Sequence, residues 1–298
     1  MSKKYIFIHM FWKMVINMDV KTKKIAFGVV GVIGMIIIAT ALSGCLEGGE
    51  KQTITIRGST TVLPIAQKAA EAYMDKHPNV DIRVSGGGSS VGIQSVGEGI
   101  ADIGTASRDL KDEEKSRYPN LKPIVIAKDG IAIIVHPDNP VTSLTLEQIR
   151  GIYNGTYTNW REVSGPDEEI VVINRDSASG TREFFWKHVM QKDDFVATAL
   201  EKNSNGAVKQ TVSQTPNAIG YVGLGYVDNS VKAVKIKKDG MEIEPTVENV
   251  LNGEYPISRS LYMITNGEPK GIAKDFIDFV LSEEGQRIVE EEGFVPVG

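Results

Sequence analysis

The 298-residue sequence contains a single cysteine, so no intramolecular disulfide can form within it. Aromatic residues make up 7% of the chain, and only four histidines are present. Beyond the first 45 residues no cluster of histidine and cysteine offers the ligands of a metal site. The G-x-x-x-x-G-K-[ST] motif of phosphate-loop NTPases does not occur. The sequence therefore predicts neither a bound metal nor a cofactor.

The sequence also has no excess of basic residues. Lys and Arg total 33 while Asp and Glu total 38, which gives a net charge of −5. Six lysines and one aspartate precede Cys45, so the remaining chain carries 27 basic and 37 acidic residues, or about −10. Nucleic-acid binding depends on basic patches, which argues against such a partner. Any anionic ligand must be held by local dipoles and a few well-placed cations.

One long apolar run, Ile25 to Ser43, follows a cluster of lysines and is closed by the tetrapeptide LSGC. This order is typical of a secretory signal, and LSGC resembles the lipobox of secreted lipoproteins, in which the cysteine receives lipid. An uncleaved membrane-spanning anchor is the alternative, because about 20 apolar residues suffice to cross a bilayer. Both interpretations place the remaining chain outside the cytoplasm. We predict a signal segment at 1–45 with Cys45 as the lipid attachment site, and a tether at 46–52.

Short β-branched runs alternate with amphipathic helical segments in the rest of the chain. The predicted strands are 53–57, 80–84, 101–105, 124–127, 130–135, 170–174, 217–222, 231–236 and 260–265. The predicted helices are 64–76, 92–99, 146–153, 183–189, 273–280 and 284–291. This alternation predicts an α/β fold of mostly parallel sheets flanked by helices, with ligands bound at the carboxyl ends of strands. We expect two lobes, formed by 53–132 plus 258–298 and by 133–257.

Three turns rich in Gly, Ser and Thr each connect a predicted strand to a helix. They are Gly58-Ser59-Thr60-Thr61, Gly87-Gly88-Ser89-Ser90 and Ser179-Gly180-Thr181. The first N–H groups of a helix lack partners within the helix, and the helix dipole favours an anion there. Simple capping of each helix by a hydroxyl is the alternative for any one turn. Three such turns in one chain favour a shared anion site.

Arg175 strengthens this interpretation because it ends an apolar strand four residues before Ser179. A guanidinium at that point can donate to two oxygens of one anion. The alternative role for Arg175 is a salt bridge with Asp176 or another nearby carboxylate.

Taken together, these segments resemble the phosphate-binding subunits of ABC phosphate transporters, a branch of the type II periplasmic binding proteins. The matching segments are GSTTVLP (58–64), SGGGSSVG (85–92), ADIGTASR (101–108), IRGIYNGTYTNW (149–160), RDSASGTR (175–182) and AIGYVG (218–223). They follow in order over nearly the whole chain after the signal. The resemblance implies a two-lobed binding protein, not an enzyme, with phosphate held in the cleft between the lobes. The implied partners are the permease and ATPase subunits of an ABC importer, and the implied location is the outer face of the cell membrane.

The resemblance also implies a set of ligand residues. They are Ser59, Thr60, Thr61, Ser89, Arg175, Ser179, Gly180 and Thr181, with Ser107 and Arg108 as further candidates. One position departs from the family pattern. The aspartate that accepts the proton of hydrogen phosphate is replaced here by Ser107 or Arg108, and neither Asp102 nor Asp109 matches it cleanly. A protein of the same fold for sulfate, molybdate or tungstate therefore stays open as an alternative.

A serine hydrolase is the alternative from another class of protein. Gly88-Ser89-Ser90-Val91-Gly92 fits the G-x-S-x-G pattern of a nucleophile elbow, with Ser90 as the nucleophile. The order Ser, acid, His leaves His136 or His188 as the base, and neither follows a late strand.

Overall fold

The computed structural model describes residues 51–297, so the predicted signal segment, Cys45 and most of the predicted tether lie outside it. The strands are β1 (Gln52–Gly58), β2 (Val80–Ser85), β3 (Ile103–Ala106), β4 (Leu121–Val135), β5 (Ser143–Thr145), β6 (Val171–Arg175), β7 (Leu200–Lys202), β8 (Ala218–Gly223), β9 (Lys232–Lys238), β10 (Met241–Ile243) and β11 (Ser258–Asn266). The α-helices are α1 (Leu63–Lys76), α2 (Ser89–Gly97), α3 (Asp112–Arg117), α4 (Leu146–Tyr153), α5 (Gly180–His188), α6 (Asn205–Ser213), α7 (Val247–Leu251), α8 (Gly271–Leu281) and α9 (Glu283–Glu291). Single 3₁₀ turns cover Trp160–Val163 and Leu224–Tyr226.

The strands follow one another in the order β2-β1-β3-β11-β4-β8-β6-β7. Parallel pairs lie towards the two ends of this order, where β1 pairs with β2 and β3, and β6 pairs with β7 and β8. The long strands between them pair antiparallel, β11 with β3 and β4, and β4 with β8. The predicted α/β class is confirmed.

Strand β4 replaces two strands of the prediction, 124–127 and 130–135, and that division was wrong. The sequence reads as interrupted there because Lys128 and Asp129 are charged. In the structure both residues stay in the ladder, Lys128 opposite Ser260 and Asp129 opposite Arg259. An arginine on the neighbouring strand supplies the charge that makes a buried aspartate tolerable inside a strand.

Two helices begin earlier than predicted. Helix α2 starts at Ser89 rather than at residue 92, and α5 starts at Gly180 rather than at residue 183. Apolar periodicity indicates only where a helix packs, while small polar residues can fill its first turn without any apolar partner. Both predicted turns therefore lie directly at helix N-termini. The short helices α3, α6 and α7 and the short strands β5, β7 and β10 were not predicted.

The apolar core has two main parts. One is formed by residues of α1, β1, β2, β3, β11 and α8, including Ile56, Ile65 and Phe276. The other surrounds the end of β4 and includes Trp160 and the ring stack of Phe185 on Tyr221, whose centroids are 4.2 Å apart. Phe185 lies on α5 and Tyr221 on β8, and the Tyr221 hydroxyl donates to Asn174 Oδ1 on β6, so the stack connects α5 with β6. Within residues 51–297 no helix is long and apolar enough to span a membrane.

Candidate anion-binding site

The first predicted turn follows β1 and leads into α1. Ser59, Thr60 and Thr61 are all buried. The Ser59 hydroxyl accepts from the backbone N–H of Thr61 at 3.2 Å, so part of its role is local capping of the turn. The hydroxyls of Thr60 and Thr61 instead face residues far away in the sequence.

The second turn lies against the loop after β3. Ser89 Oγ accepts from the backbone N–H of Ser107 at 3.0 Å and lies 3.4 Å from Ser107 Oγ. Gly88 has a φ of 97° and lies so close to the third turn that a Cβ would come within 2.5 Å of the Ala178 carbonyl oxygen. Glycine is required at this point, because no larger residue allows the two turns to approach.

The third turn joins β6 to α5. The Ser179 hydroxyl caps α5 by accepting from Arg182 N at 3.2 Å, so the capping interpretation holds for this residue. Thr181 Oγ1 lies 3.1 Å from Thr61 Oγ1, which joins the third turn to the first. A Cβ at Gly180 would lie 2.2 Å from Ser89 Oγ, which joins it to the second. The three predicted turns therefore meet at one place.

Arg175 is the charged centre of this cluster. Its side chain is buried, with the residue only 1% exposed. Nε donates to the Lys202 carbonyl at 3.1 Å, and Nη2 donates to Thr60 Oγ1 and the Asn203 carbonyl, both at 3.3 Å. Nη1 is buried without a hydrogen-bond partner.

No carboxylate among the described residues lies within ion-pair distance of Arg175, so the predicted alternative of a salt bridge with Asp176 is not observed. Burial lowers the pKa of Arg175, while Asp176 and two tyrosines oppose that shift. A guanidinium remains protonated at neutral pH even so. The cluster thus contains a buried positive charge that no contacting carboxylate neutralises.

Arg108 has a different environment from Arg175. Its guanidinium forms a two-pronged ion pair with Glu114, at 2.7 and 2.8 Å, and also donates to Ser90 Oγ at 3.1 Å. Its charge is therefore compensated within the protein. The structure places Arg108 beside the second turn through Ser90, and its buried Nε has no hydrogen-bond partner among residues 51–297. Whether it binds the ligand stays a prediction.

Three residues of the cluster were not foreseen. Asp129 and Arg259 form a buried ion pair at 2.8 Å, with side-chain exposures of 0% and 1%. Arg259 also donates to Thr61 Oγ1 at 3.2 Å and to the Ser107 carbonyl at 3.0 Å. Asn205, the first residue of α6, contacts both Thr60 and Thr61. The sequence contains two signals for these residues: Asp129 is an acid within an apolar run, and Asn205 directly follows the helix-capping Ser204.

The Asp129–Arg259 pair affects both members through burial. Burial raises the pKa of Asp129, and the nearby Arg259 opposes that shift. Burial likewise lowers the pKa of Arg259, and Asp129 opposes it. Because both side chains are almost fully enclosed and joined by two hydrogen bonds, each supplies the counter-charge that offsets the burial of the other.

Comparison with known proteins agrees with this geometry. A family model described as a PBP superfamily domain matches residues 46–284. The phosphate-binding protein PstS of Bacillus subtilis (strain 168) is 36% identical over 259 residues, which cover 86% of this chain and 85% of that protein. The PstS of Borreliella burgdorferi is 35% identical over 278 residues, covering 89% and 98%. The chain belongs to the PstS family of phosphate-binding proteins.

Solved structures support the same assignment and confirm the fold of a type II periplasmic binding protein. A Clostridium perfringens protein assigned as a phosphate ABC transporter substrate-binding protein, crystallised with bound phosphate, is 45% identical with a TM-score of 0.78. It matches 83% of this chain and 100% of its own. An ABC-type phosphate transport receptor from Vibrio cholerae is 37% identical with a TM-score of 0.68, covering 83% and 100%.

Membership of the PstS family argues against the hydrolase alternative, since these relatives are named as binding proteins. The surroundings of Ser90 agree with that. Its hydroxyl accepts from Arg108, and none of the described histidines forms a hydrogen bond with it. His136 instead faces Asp138, and His188 stacks on Phe184. Residues 51–297 contain no group of three or more His, Cys, Asp or Glu side chains arranged to hold a metal ion.

Proposed function

We propose that this chain is the extracytoplasmic receptor that captures inorganic phosphate and delivers it to an ABC-type importer. The observation that carries the proposal is Arg175, a buried cation whose Nη1 has no hydrogen-bond partner and no contacting carboxylate within residues 51–297. A buried charge without a partner is costly, so a site of this kind is built to receive an opposite charge. The Thr60 hydroxyl contacts that charge, and the other two turns meet the first turn. Their hydroxyls suit the oxygens of a tetrahedral anion.

In the proposed mechanism the anion binds between two lobes, 53–132 plus 258–298 and 133–257, and the lobes then close on it. Thr60, Thr61 and Ser89 contribute from the first lobe, and Arg175, Ser179, Gly180 and Thr181 from the second. Contacts between Thr61 and Thr181, and between Thr60 and Arg175, cross this division. When phosphate binds the ligand residues of one lobe, we therefore expect the ligand residues of the other lobe to close on its remaining oxygens. The closed form then docks on the permease subunits.

Titration calorimetry of the purified chain, stripped of bound anions, tests this function. We expect phosphate to bind with a Kd of about 1 μM or tighter, which corresponds to about −8 kcal/mol. Sulfate, molybdate and tungstate are titrated under the same conditions. If one of these anions binds tightly and phosphate does not, the anion site stands but its assigned ligand is wrong. No binding of any of the four would overturn the receptor function itself.

The membrane attachment is part of the same proposal. We propose that lipid is joined to the Cys45 thiol and that cleavage then leaves Cys45 as the first residue, because LSGC closes an apolar run preceded by lysines. Mass spectrometry of the chain purified from membranes should then find a modified Cys45 as the first residue. Replacing Cys45 with alanine should abolish the modification and leave the signal uncleaved. An unmodified chain that still begins before Cys45 would support the uncleaved anchor instead.

A further inference from the structure

Asn205 is fully buried and its amide has only one possible orientation. The side-chain oxygen accepts from the backbone N–H of Gly223 at 3.1 Å. A backbone N–H can only donate, so the amide oxygen must face Gly223. The Nδ2 group therefore faces the first turn, where it donates to Thr60 Oγ1 and Thr61 Oγ1, both at 3.0 Å.

Each of these hydroxyls also receives a second donor from an arginine. Arg175 Nη2 lies 3.3 Å from Thr60 Oγ1, and Arg259 Nη2 lies 3.2 Å from Thr61 Oγ1. A hydroxyl has two acceptor lone pairs and one hydrogen to donate. Asn205 and the arginines occupy the lone pairs of both hydroxyls, and the backbone N–H of Asn205 adds a longer contact to Thr60 Oγ1 at 3.4 Å. The hydrogens of both hydroxyls must therefore point away from these donors. The Thr61 hydrogen has Thr181 Oγ1 at 3.1 Å as its acceptor, while the Thr60 hydrogen has no acceptor among residues 51–297.

We propose that Asn205 is a positioning residue for the anion site, which orients the Thr60 hydroxyl as a donor to the anion and the Thr61 hydroxyl as a donor to Thr181. The inference rests on the proposed function, since an anion accepts hydrogen bonds and offers few or none. Donors that are oriented before binding cost little reorganisation when the ligand arrives. Asn205 thus contributes to affinity by its effect on two threonines and needs no contact with the anion.

An aspartate at position 205 should reverse this arrangement. Its carboxylate has no hydrogen to give, so it accepts from Thr60 and Thr61 and turns the Thr60 hydrogen away from the anion and the Thr61 hydrogen away from Thr181. It can still accept from Gly223 N–H, and it lies in the first turn of α6, where a negative charge is favourable. The charged groups around it are Arg175 and Arg259, with Asp129 paired to the latter. The two arginines should keep the new carboxylate ionised and the fold intact.

The test compares Asn205→Asp with Asn205→Ala by calorimetric titration of phosphate and by thermal melting without ligand. For Asn205→Asp we expect at least about a 100-fold loss of phosphate affinity, while the ligand-free melting temperature stays at or above that of the wild type. Asn205→Ala removes one donor from each hydroxyl, so both are less firmly oriented, and it leaves Gly223 N–H without its acceptor. It should lower the affinity about tenfold and lower the melting temperature as well.

If Asn205 only stabilised the fold, both variants would lose melting temperature and phosphate affinity together. A loss of both in Asn205→Asp would therefore overturn the inference. Phosphate binding by Asn205→Asp within threefold of the wild type would overturn it too. Should Asn205→Asp fail to fold, Asn205→Ala decides, and unchanged affinity there refutes the role. If the wild-type chain binds no phosphate, the proposed function fails first, which separates the two outcomes.

Discussion

Replacing Arg175 with alanine should lower the affinity for phosphate by about 100- to 1,000-fold, or about 3–4 kcal/mol. The change removes a buried cation of the site that no carboxylate among residues 51–297 contacts. It also removes a donor to Thr60, whose hydroxyl is then less firmly oriented. Titration calorimetry of wild type and variant under identical conditions measures the effect.

The same variant should be at least as stable as the wild type when no ligand is bound. A buried guanidinium without a charged partner is a cost to the fold, and burial lowers its pKa for the same reason. Removing it relieves that cost, although a cavity remains. We therefore expect affinity to fall while the ligand-free melting temperature does not, a combination that general misfolding does not produce.

Two further variants sharpen the result. Arg175→Lys keeps a charge but loses the planar fork, so it should retain only part of the affinity. Arg182→Ala is the matched control, because Arg182 lies in the first turn of α5 and already faces a carboxylate, Glu201, at 3.6 Å. It should bind phosphate within a few-fold of the wild type. Affinity unchanged in Arg175→Ala would refute the role assigned to Arg175.

The three turns could be predicted from the sequence because each has a local cause. A strand followed by small polar residues and a helix is readable within about ten positions, and parallel strands bring their carboxyl ends to one edge. The turns at Thr61 and Ser89 meet for this reason, since β1 and β2 pair in parallel. The turn at Thr181 follows β6, which belongs to the other group of parallel strands, and it reaches the first two turns through tertiary packing. Arg175 could be singled out on the same ground, as a cation at the end of an apolar strand.

The residues that support these turns cannot be recognised from their neighbours in the sequence. Asp129 and Arg259 lie 130 positions apart, and each alone looks like a misplaced charge or a surface residue. Asn205 looks like an ordinary residue after a serine cap, since its role depends on Gly223 and on two threonines about 145 positions earlier. Pairing over such distances is set by tertiary packing, which a single sequence does not reveal. The division of β4 failed for the same reason, because Arg259 makes Asp129 acceptable within a strand.

Breaking the Asp129–Arg259 pair should destabilise the protein strongly. Asp129→Asn leaves the buried Arg259 without a counter-charge, at a cost of about 3–5 kcal/mol. For a chain of this size we expect the melting temperature to fall by about 10 °C. Asp193→Asn is the matched control, because Asp193 pairs with Arg150 at 2.7 Å but remains about one-third exposed. Its cost should stay below about 1 kcal/mol.

Removing the other partner should give a pH-dependent loss. In Arg259→Met, burial still raises the pKa of Asp129, but no arginine at position 259 opposes that shift. The folded protein then binds a proton at Asp129 more tightly than the unfolded chain, so stability falls as pH rises above the unfolded value of about 3.9. Arg259→Met should therefore be more stable at pH 5 than at pH 7, relative to the wild type at each pH. Equal losses at both pH values would contradict this account.

The double variant Asp129→Asn, Arg259→Met separates charge from packing. It removes both charges, and the side-chain amide oxygen introduced at position 129 can still accept from the Leu224 N–H, as the Asp129 carboxylate does at 2.9 Å. Replacing a whole buried pair with neutral groups is often close to neutral in stability. We expect the double variant to regain most of the free energy of unfolding that Asp129→Asn loses, and its stability relative to the wild type should not depend on pH between about 5 and 7. If the losses in free energy of unfolding of the two single variants add instead, packing rather than charge holds the pair. The contacts of Arg259 with Thr61 and Ser107 are then the feature that stabilises this edge of the site.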